Sequence, residues 1–219
     1  MGKGIYWMGF HEVMELIFLH HYLRPEMVFL DIGANMGEYT LFVAKRLTGG
    51  HVYSFEPWAF MQKVLNENIA LNGFKNVSVM PYGLSDKKGE LPIFEVKNQH
   101  EGLSTLYPGD REIKAKHDVE LKVFDDEFVN LSRLDFIKID IEGSELFALK
   151  GARRSIEKFR PYVMVEINNL TYEMAGYESG NILDFFLGIN YRPFQIDKNA
   201  ILQKCETLPA FGNVIFKPL

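Results

Sequence analysis

The chain has 219 residues, 47% of them hydrophobic, with a formal net charge of −5. That length suits one α/β domain able to bury roughly 70% of its unfolded surface. No run of Lys and Arg exceeds two residues, so a nucleic-acid backbone is not an expected partner. Cys205 is the only cysteine, which excludes an intramolecular disulfide and fits a reducing compartment. The apolar run after His11 is broken by Glu15 and by His20-His21, short of the ~20 apolar residues of a membrane span. No secretory signal is visible, and Tyr6 stands where a myristoylation signal wants Ser or Thr. A cytoplasmic protein without membrane partners is expected.

In chain order, Val13, Leu16, Ile17 and Leu23 approach helical spacing within 11–23, and Arg24-Pro25 stops that helix. A strand is expected over 27–32 and a helix over 38–47, closed by Gly49-Gly50. A strand over 51–56 follows, then a helix opened by Pro57 and ended by Gly73, then a strand over 77–81. This alternation implies a parallel sheet with right-handed crossovers. The middle differs. Segments 91–96 and 120–124 alternate apolar and polar like a half-exposed hairpin, around a long polar loop over 98–116 that suits a lid. Beyond it come a strand over 136–141, a helix over 144–159, a strand over 162–167 and a short helix over 182–187. Strands over 191–196 and 213–216 close the chain, paired at the sheet edge. One domain over 1–219 is expected, with 1–25 as a helical cover and 87–125 as a hairpin and lid insertion.

The chemistry gathers at the strand ends, where ligands of open α/β sheets bind. In Phe29-Leu30-Asp31-Ile32-Gly33-Ala34-Asn35-Met36-Gly37 a strand hands over to a helix through two glycines, letting backbone N–H groups approach a small ligand. The dinucleotide fingerprint Gly-x-Gly-x-x-Gly is broken by Asn35, so a nucleoside without pyrophosphate fits better, and S-adenosylmethionine (SAM) is the commonest. Its ammonium needs an acceptor, from Asp31 or loop carbonyls, and its carboxylate suits the N–H groups that open the 38–47 helix. Glu56 stands where it could accept from a ribose diol; it could equally cap the helix that follows. Cofactor contacts are expected from Asp31, Gly33, Ala34, Asn35, Gly37, Glu56 and Pro57, from Gly83, Leu84 and Ser85 after the third strand, and from Asp140.

The stretch Phe136-Ile137-Lys138-Ile139-Asp140-Ile141-Glu142-Gly143-Ser144-Glu145 ends a strand in two acids. Either Asp140 or Glu142 could take the proton of an attacking hydroxyl. The structural alternative is that Ser144 or Glu145 caps the next helix while Glu142 orders the loop. Ser104, Thr105, Glu166 and Asn168 are candidate acceptor contacts. A divalent ion on Asp140, Glu166 and Asn168 is a minor alternative, and no metal site is assigned. His51 reads as structural, His100 and His117 as loop residues, and His20 or His21 as possible neighbours of the acceptor. Two rival functions remain: an NAD-dependent oxidoreductase using Glu56 on a nicotinamide ribose, and a SAM-binding module without catalysis.

Several blocks taken together resemble the FkbM-type family of SAM-dependent methyltransferases. They are Phe29–Asn35, Phe55-Glu56-Pro57, Asn68–Gly73, Lys138–Gly143, Leu149-Lys150-Gly151-Ala152, and Arg160-Pro161 leading into Val165-Glu166. The resemblance implies a Rossmann-like class I fold with seven strands, the last antiparallel, with helices on both faces. It also implies methyl transfer from SAM to an oxygen of a sugar, polyketide or other small metabolite, leaving S-adenosylhomocysteine (SAH). By motif Gly33, Asn35 and Gly37 would line the methionine end and Glu56 the ribose. The family's Ser/Thr-rich element matches Gly102-Leu103-Ser104-Thr105, and Met36 departs from its usual smaller aliphatic.

Overall fold

The structure is a computed structural model that describes residues 12–96 and 104–219. Helix α1 (Val13–Tyr22) precedes β1 (Val28–Ile32), α2 (Glu38–Ala44), β2 (His51–Phe55), α3 (Ala59–Leu71) and β3 (Val77–Met80). The middle holds β4 (Gly83–Leu84), β5 (Gly89–Val96), β6 (Ser104–Thr105), β7 (Ile113–Lys122) and the short α4 (Phe124–Glu127). Then come β8 (Phe136–Ile139), α5 (Glu145–Gly151), α6 (Arg153–Phe159), β9 (Tyr162–Asn168), α7 (Asn169–Met174) and α8 (Ser179–Leu187). The chain closes with β10 (Tyr191–Ile196), β11 (Leu202–Lys204) and β12 (Phe211–Pro218).

The main sheet runs β11-β10-β12-β9-β8-β1-β2-β3. Strands β3, β2, β1, β8 and β9 are mutually parallel, and β12 is antiparallel to both β9 and β10. The chain leaves β1 for β2 on one side and later returns to β8 on the other, so the switch of strand order lies between β1 and β8. Alternation then decides which side chains face which layer. Leu30, Ile32, Ile137 and Ile139 pack into the cluster that holds Leu149, Ile156 and Phe186. Phe29 and Phe136 face the opposite layer, against Leu16 and Leu19 of α1 and Val43 of α2. By the same alternation Asp31 and Lys138, cross-strand partners in the β1–β8 register, lie under α1 and α2.

Four expectations need correction. The sheet has eight strands rather than seven, because β11 folds back on β10 outside the expected β10–β12 pair. The helix expected over 144–159 breaks in two at Ala152. There Gly151 lies so close to the Ser85 carbonyl that a Cβ would sit 2.1 Å from its oxygen, while the Asp125 carboxylate accepts from the N–H groups of Arg154 (2.7 Å) and Ser155 (2.9 Å). The hairpin's second strand is Ile113–Lys122, so residues 113–116, taken for loop, are strand. Lys114, Lys116, Asp118 and Glu120 are exposed along it, but Ala115 and His117 between them are too weakly apolar to mark the other face in the sequence. Gly49 and Gly50 do not cap α2, which ends at Ala44; Gly50 instead passes beneath the Met27 carbonyl, where a Cβ would stand 1.9 Å away. Residues 97–103, including His100, Gly102 and Leu103 of the expected lid, fall outside the described residues, as do 1–11 of the cover.

Candidate active site

A cavity of about 270 Å³ opens at the carboxyl ends of β1, β2, β8 and β9. Its lining includes Asp31, Gly33, Ala34, Asn35, Glu56, Pro57, Gly83, Leu84, Thr105, Asp140, Glu142 and Glu166 among the sequence-derived candidates. Gly37, Ser85 and Asn168 are not among its walls. Gly37 (φ +98°) starts α2 against Leu65, Ser85 lies under Gly151, and the Asn168 carbonyl accepts from Thr171 Oγ1. Ser104 is placed only by its backbone pairing with Glu95. Among the described histidines His51 bonds Ser78 Oγ (2.8 Å), His20 meets Arg46, and His117, expected in a loop, lies on β7 beside the Trp58 ring.

The turn after β1 works differently from expectation. Gly33 N and Ala34 N both donate to the Phe55 carbonyl (3.0 Å each), Asn35 N to Glu56 Oε2 (2.9 Å), Met36 N to Asn35 Oδ1 (2.7 Å) and Gly37 N to the Ala34 carbonyl (2.8 Å). All five N–H groups serve the fold, so the turn offers a ligand its shape and acceptors, not those donors. Gly33 is required for another reason. At φ +85° its missing Cβ would stand 1.9 Å from the Asp140 carbonyl oxygen, so only glycine lets the β1 and β8 ends meet.

Glu56 is buried and accepts from Asn35 N and, through Oε1, from Trp58 N (2.9 Å). Burial pushes its carboxyl up to about 7, against the pull of those two N–H bonds. It therefore holds the backbone just ahead of α3, rather than capping that helix, while still facing the cavity. Asp31 is 1% exposed; Thr40 Oγ1 donates to its Oδ2 (2.6 Å), and its Oδ1 has no hydrogen-bond partner among the described residues. Burial raises its pKa, opposed by the Lys138 charge. On the far side Pro57 meets the second, four-stranded sheet β4-β7-β5-β6, whose Gly83, Leu84, Ile93, Val119 and Leu121 form an apolar wall.

Across the switch point, carboxylate oxygens of Asp140, Glu142 and Glu166 lie within 4.8 Å of one another. Burial, then the Asp140 charge, pushes Glu142 up to about 7. Burial, then the Asp140 charge, drives Glu166 well above the carboxylate range. Lys138 Nζ stands 3.0 Å from Asp140 Oδ2, so this chain supplies the cluster with its own cation, and Asn168 does not join it. Glu142 sits in a strained left-handed turn (φ +53°) before Gly143 (φ +107°). Glu145, not Glu142, orders that turn, accepting from Ile141 N (2.9 Å) and Gly143 N (3.0 Å). Thr105 Oγ1 clamps it from the second sheet by donating to the Glu142 carbonyl (3.0 Å).

Lys138, Glu12 and Tyr39 also line the cavity, and sequence reasoning assigned none of them a role. Lys138 left one visible sign, a cation inside a strand of Phe and Ile. Glu12 and Tyr39 left none, since their meeting depends on how α1 packs over α2.

Sheet order, switch-point cavity and strand-end acids together define a class I SAM methyltransferase fold. Residues 31–193 match the Methyltransferase FkbM domain model, and the chain belongs to that family. Methyltransferase sdnD of Sordaria araneosa is 30% identical over 178 residues, covering 67% of each chain. Methyltransferase 1 of Beauveria bassiana is 27% identical over 142 residues, covering 56% of this chain and 57% of its own. The crystal structure of Methyltransferase FkbM from Methylobacillus flagellatus superposes with TM-score 0.60 at 20% identity, over 95% of this chain. This chain spans about half of that protein's length (48%). A Streptococcus mutans protein solved in complex with SAH gives TM-score 0.55 at 12% identity, over 94% and 96% of the two chains. No helix among the described residues is long and apolar enough to cross a membrane.

Proposed function

We propose that the protein is a SAM-dependent O-methyltransferase acting on a hydroxyl of a small metabolite, such as a saccharide or a glycosylated natural product. It would work in the cytoplasm as one domain, without nucleic-acid or membrane partners. The observation that carries the cofactor reading is Asp31 Oδ1, a buried carboxylate oxygen left without a donor in the cavity wall. An unmet buried charge is expensive, and an ammonium is the group that satisfies it best. Family membership and the SAH recorded in the Streptococcus mutans neighbour support the same reading.

SAM, when bound, supplies an activated methyl on a sulfonium. Asp31 accepts from its ammonium, and Glu56 keeps lone pairs for the ribose diol beyond those used by Asn35 and Trp58. The apolar wall of Pro57, Leu84, Ile93, Val119 and Leu121 takes the base. Of the two candidate bases we assign Glu142. Asp140 is engaged by Lys138, whereas Glu142 is poised near neutrality and held by the Thr105 clamp. Its task would be to take the proton of the acceptor hydroxyl. Calorimetric titration tests the reading: SAM and SAH give a binding isotherm and NADH gives none. A flat SAM trace at saturating concentration sinks it.

A further inference from the structure

We infer that Lys138 is a positioning residue for the acid cluster, pairing with Asp140 and so leaving Glu142 free to act as base. This role rests on the methyl-transfer reading above. Its physical content, the placement of one proton, is open to measurement without cofactor.

Lys138 is an anomaly in its strand. It sits between Ile137 and Ile139, is 4% exposed, and is the cross-strand partner of Asp31 on β1 and Met164 on β9. A buried ammonium costs several kcal/mol unless paired, so its partners define its purpose. Nζ stands 3.0 Å from Asp140 Oδ2 and 4.9 Å from the centre of the Tyr39 ring, whose face attracts a cation. The Tyr39 hydroxyl donates to Glu12 Oε2 (2.5 Å), and Asn213 Nδ2 donates to Glu12 Oε1 (2.5 Å). That chain of contacts fixes Tyr39, and so the ring beneath the ammonium, from α1, α2 and β12 together.

The charged and titratable groups around Lys138 are Asp31 from β1, Glu12 and Tyr39 from the α1–α2 side, Asp140 beyond its own strand, and Glu142 and Glu166 across the cavity. Burial works against its charge, but Asp140, Asp31 and Glu12 outweigh burial and hold it above the ordinary lysine range. Three carboxylates within 4.8 Å of one another cannot all ionise in a low-dielectric cavity. The cation settles the competition by geometry, because its ammonium bonds Asp140 and not the other two. Glu166, driven upward by burial and by the Asp140 charge, is the acid left to hold a proton. The same positive charge also lowers Glu142 toward the neutral range.

A purely structural ion pair would tie β8 down without moving the titration of Glu142. Glutamate-selective carbon NMR separates the two on the intact protein. In the wild type Glu166 should show the carboxylic-acid shift at pH 7 while Glu142 titrates near 7. In Lys138→Met the Glu142 midpoint should rise by about one unit or more, and Lys138→Arg should restore it. An unchanged Glu142 midpoint in Lys138→Met, with melting temperature alone reduced, overturns the inference. If Lys138→Met does not fold, the wild type still decides: a Glu166 signal of the ionised form at pH 7 overturns it. Failure of the cofactor reading shows separately, as absence of a SAM isotherm with these titrations intact.

Discussion

The two halves of the cavity use the same kind of residue, a buried acid at a strand end, to opposite purposes. On the β1–β2 side Glu56 receives two backbone N–H groups and the adjoining turn spends five N–H groups on the fold, leaving one acceptor, Asp31 Oδ1, open. On the β8–β9 side the acids face one another, with Lys138 as their counter-charge and a strained turn carrying Glu142. A carboxylate ringed by backbone donors is a fixed acceptor. A carboxylate ringed by carboxylates is a proton store. Residue type therefore says little about role until the donors around it are counted.

The sharpest way to break this contrast is to neutralise one acid on each side. Glu142→Gln should lower methyl transfer to the active acceptor by about 10²–10⁴-fold, as loss of a general base does, with SAM affinity unchanged within calorimetric error. Methyl transfer from radiolabelled SAM to a panel of saccharides measures the first quantity. A variant with full activity would take the base role away from Glu142. Asp31→Asn should do the reverse, weakening SAM by about 10²-fold through loss of a charge-assisted bond. Its melting temperature without ligand should hold or rise at neutral pH, because the substitution removes a buried charge that lacks a full set of donors. Tight SAM binding by Asp31→Asn would mean that loop carbonyls, not Asp31, take the ammonium.

The two halves were also unequally legible. Asp31, Glu56, Asp140 and Glu142 follow from strand-end position alone, because a strand's end is marked by where its apolar run stops. What escaped depended on packing between distant segments. That Gly33 makes room for Asp140 rather than for a ligand follows from strands 107 residues apart lying side by side, a register no local pattern prints. Lys138 reads in the sequence as one polar residue in a strand, and its weight comes from Asp31 beside it and Tyr39 above. Glu145 looked like a helix cap and is instead the strut of the turn that carries Glu142. The extra strand β11 is three residues of Leu, Gln and Lys, too short to show a period.

The proton-store picture has a consequence for stability. Glu56, Glu142 and Glu145 each move from 4.5 unfolded to about 7 folded. The native state then holds more protons than the unfolded chain between those values, so their contribution is complete below about 4.5 and is lost as pH rises through about 7. Ligand-free melting temperature should therefore fall between pH 5 and pH 8. A steady rise across that window would mean that these carboxyls are ionised in the native state.

The smallest expected effect probes the link between the second sheet and the Glu142 turn. Thr105 is 4% exposed, donates to the Glu142 carbonyl (3.0 Å) and accepts from Tyr107 N (3.0 Å). Thr105→Val keeps the shape and removes both bonds, at a cost of about 1–2 kcal/mol. In a chain of this size that corresponds to a fall of roughly 2–8 °C in melting temperature. If the clamp also holds Glu142 in its left-handed turn, the variant should lose several-fold in turnover while SAM binds as before, and Thr105→Ser should recover both. Loss of stability without loss of turnover would mean that Glu145 alone keeps the turn in place, reducing the second sheet's part to the apolar wall on the cofactor side.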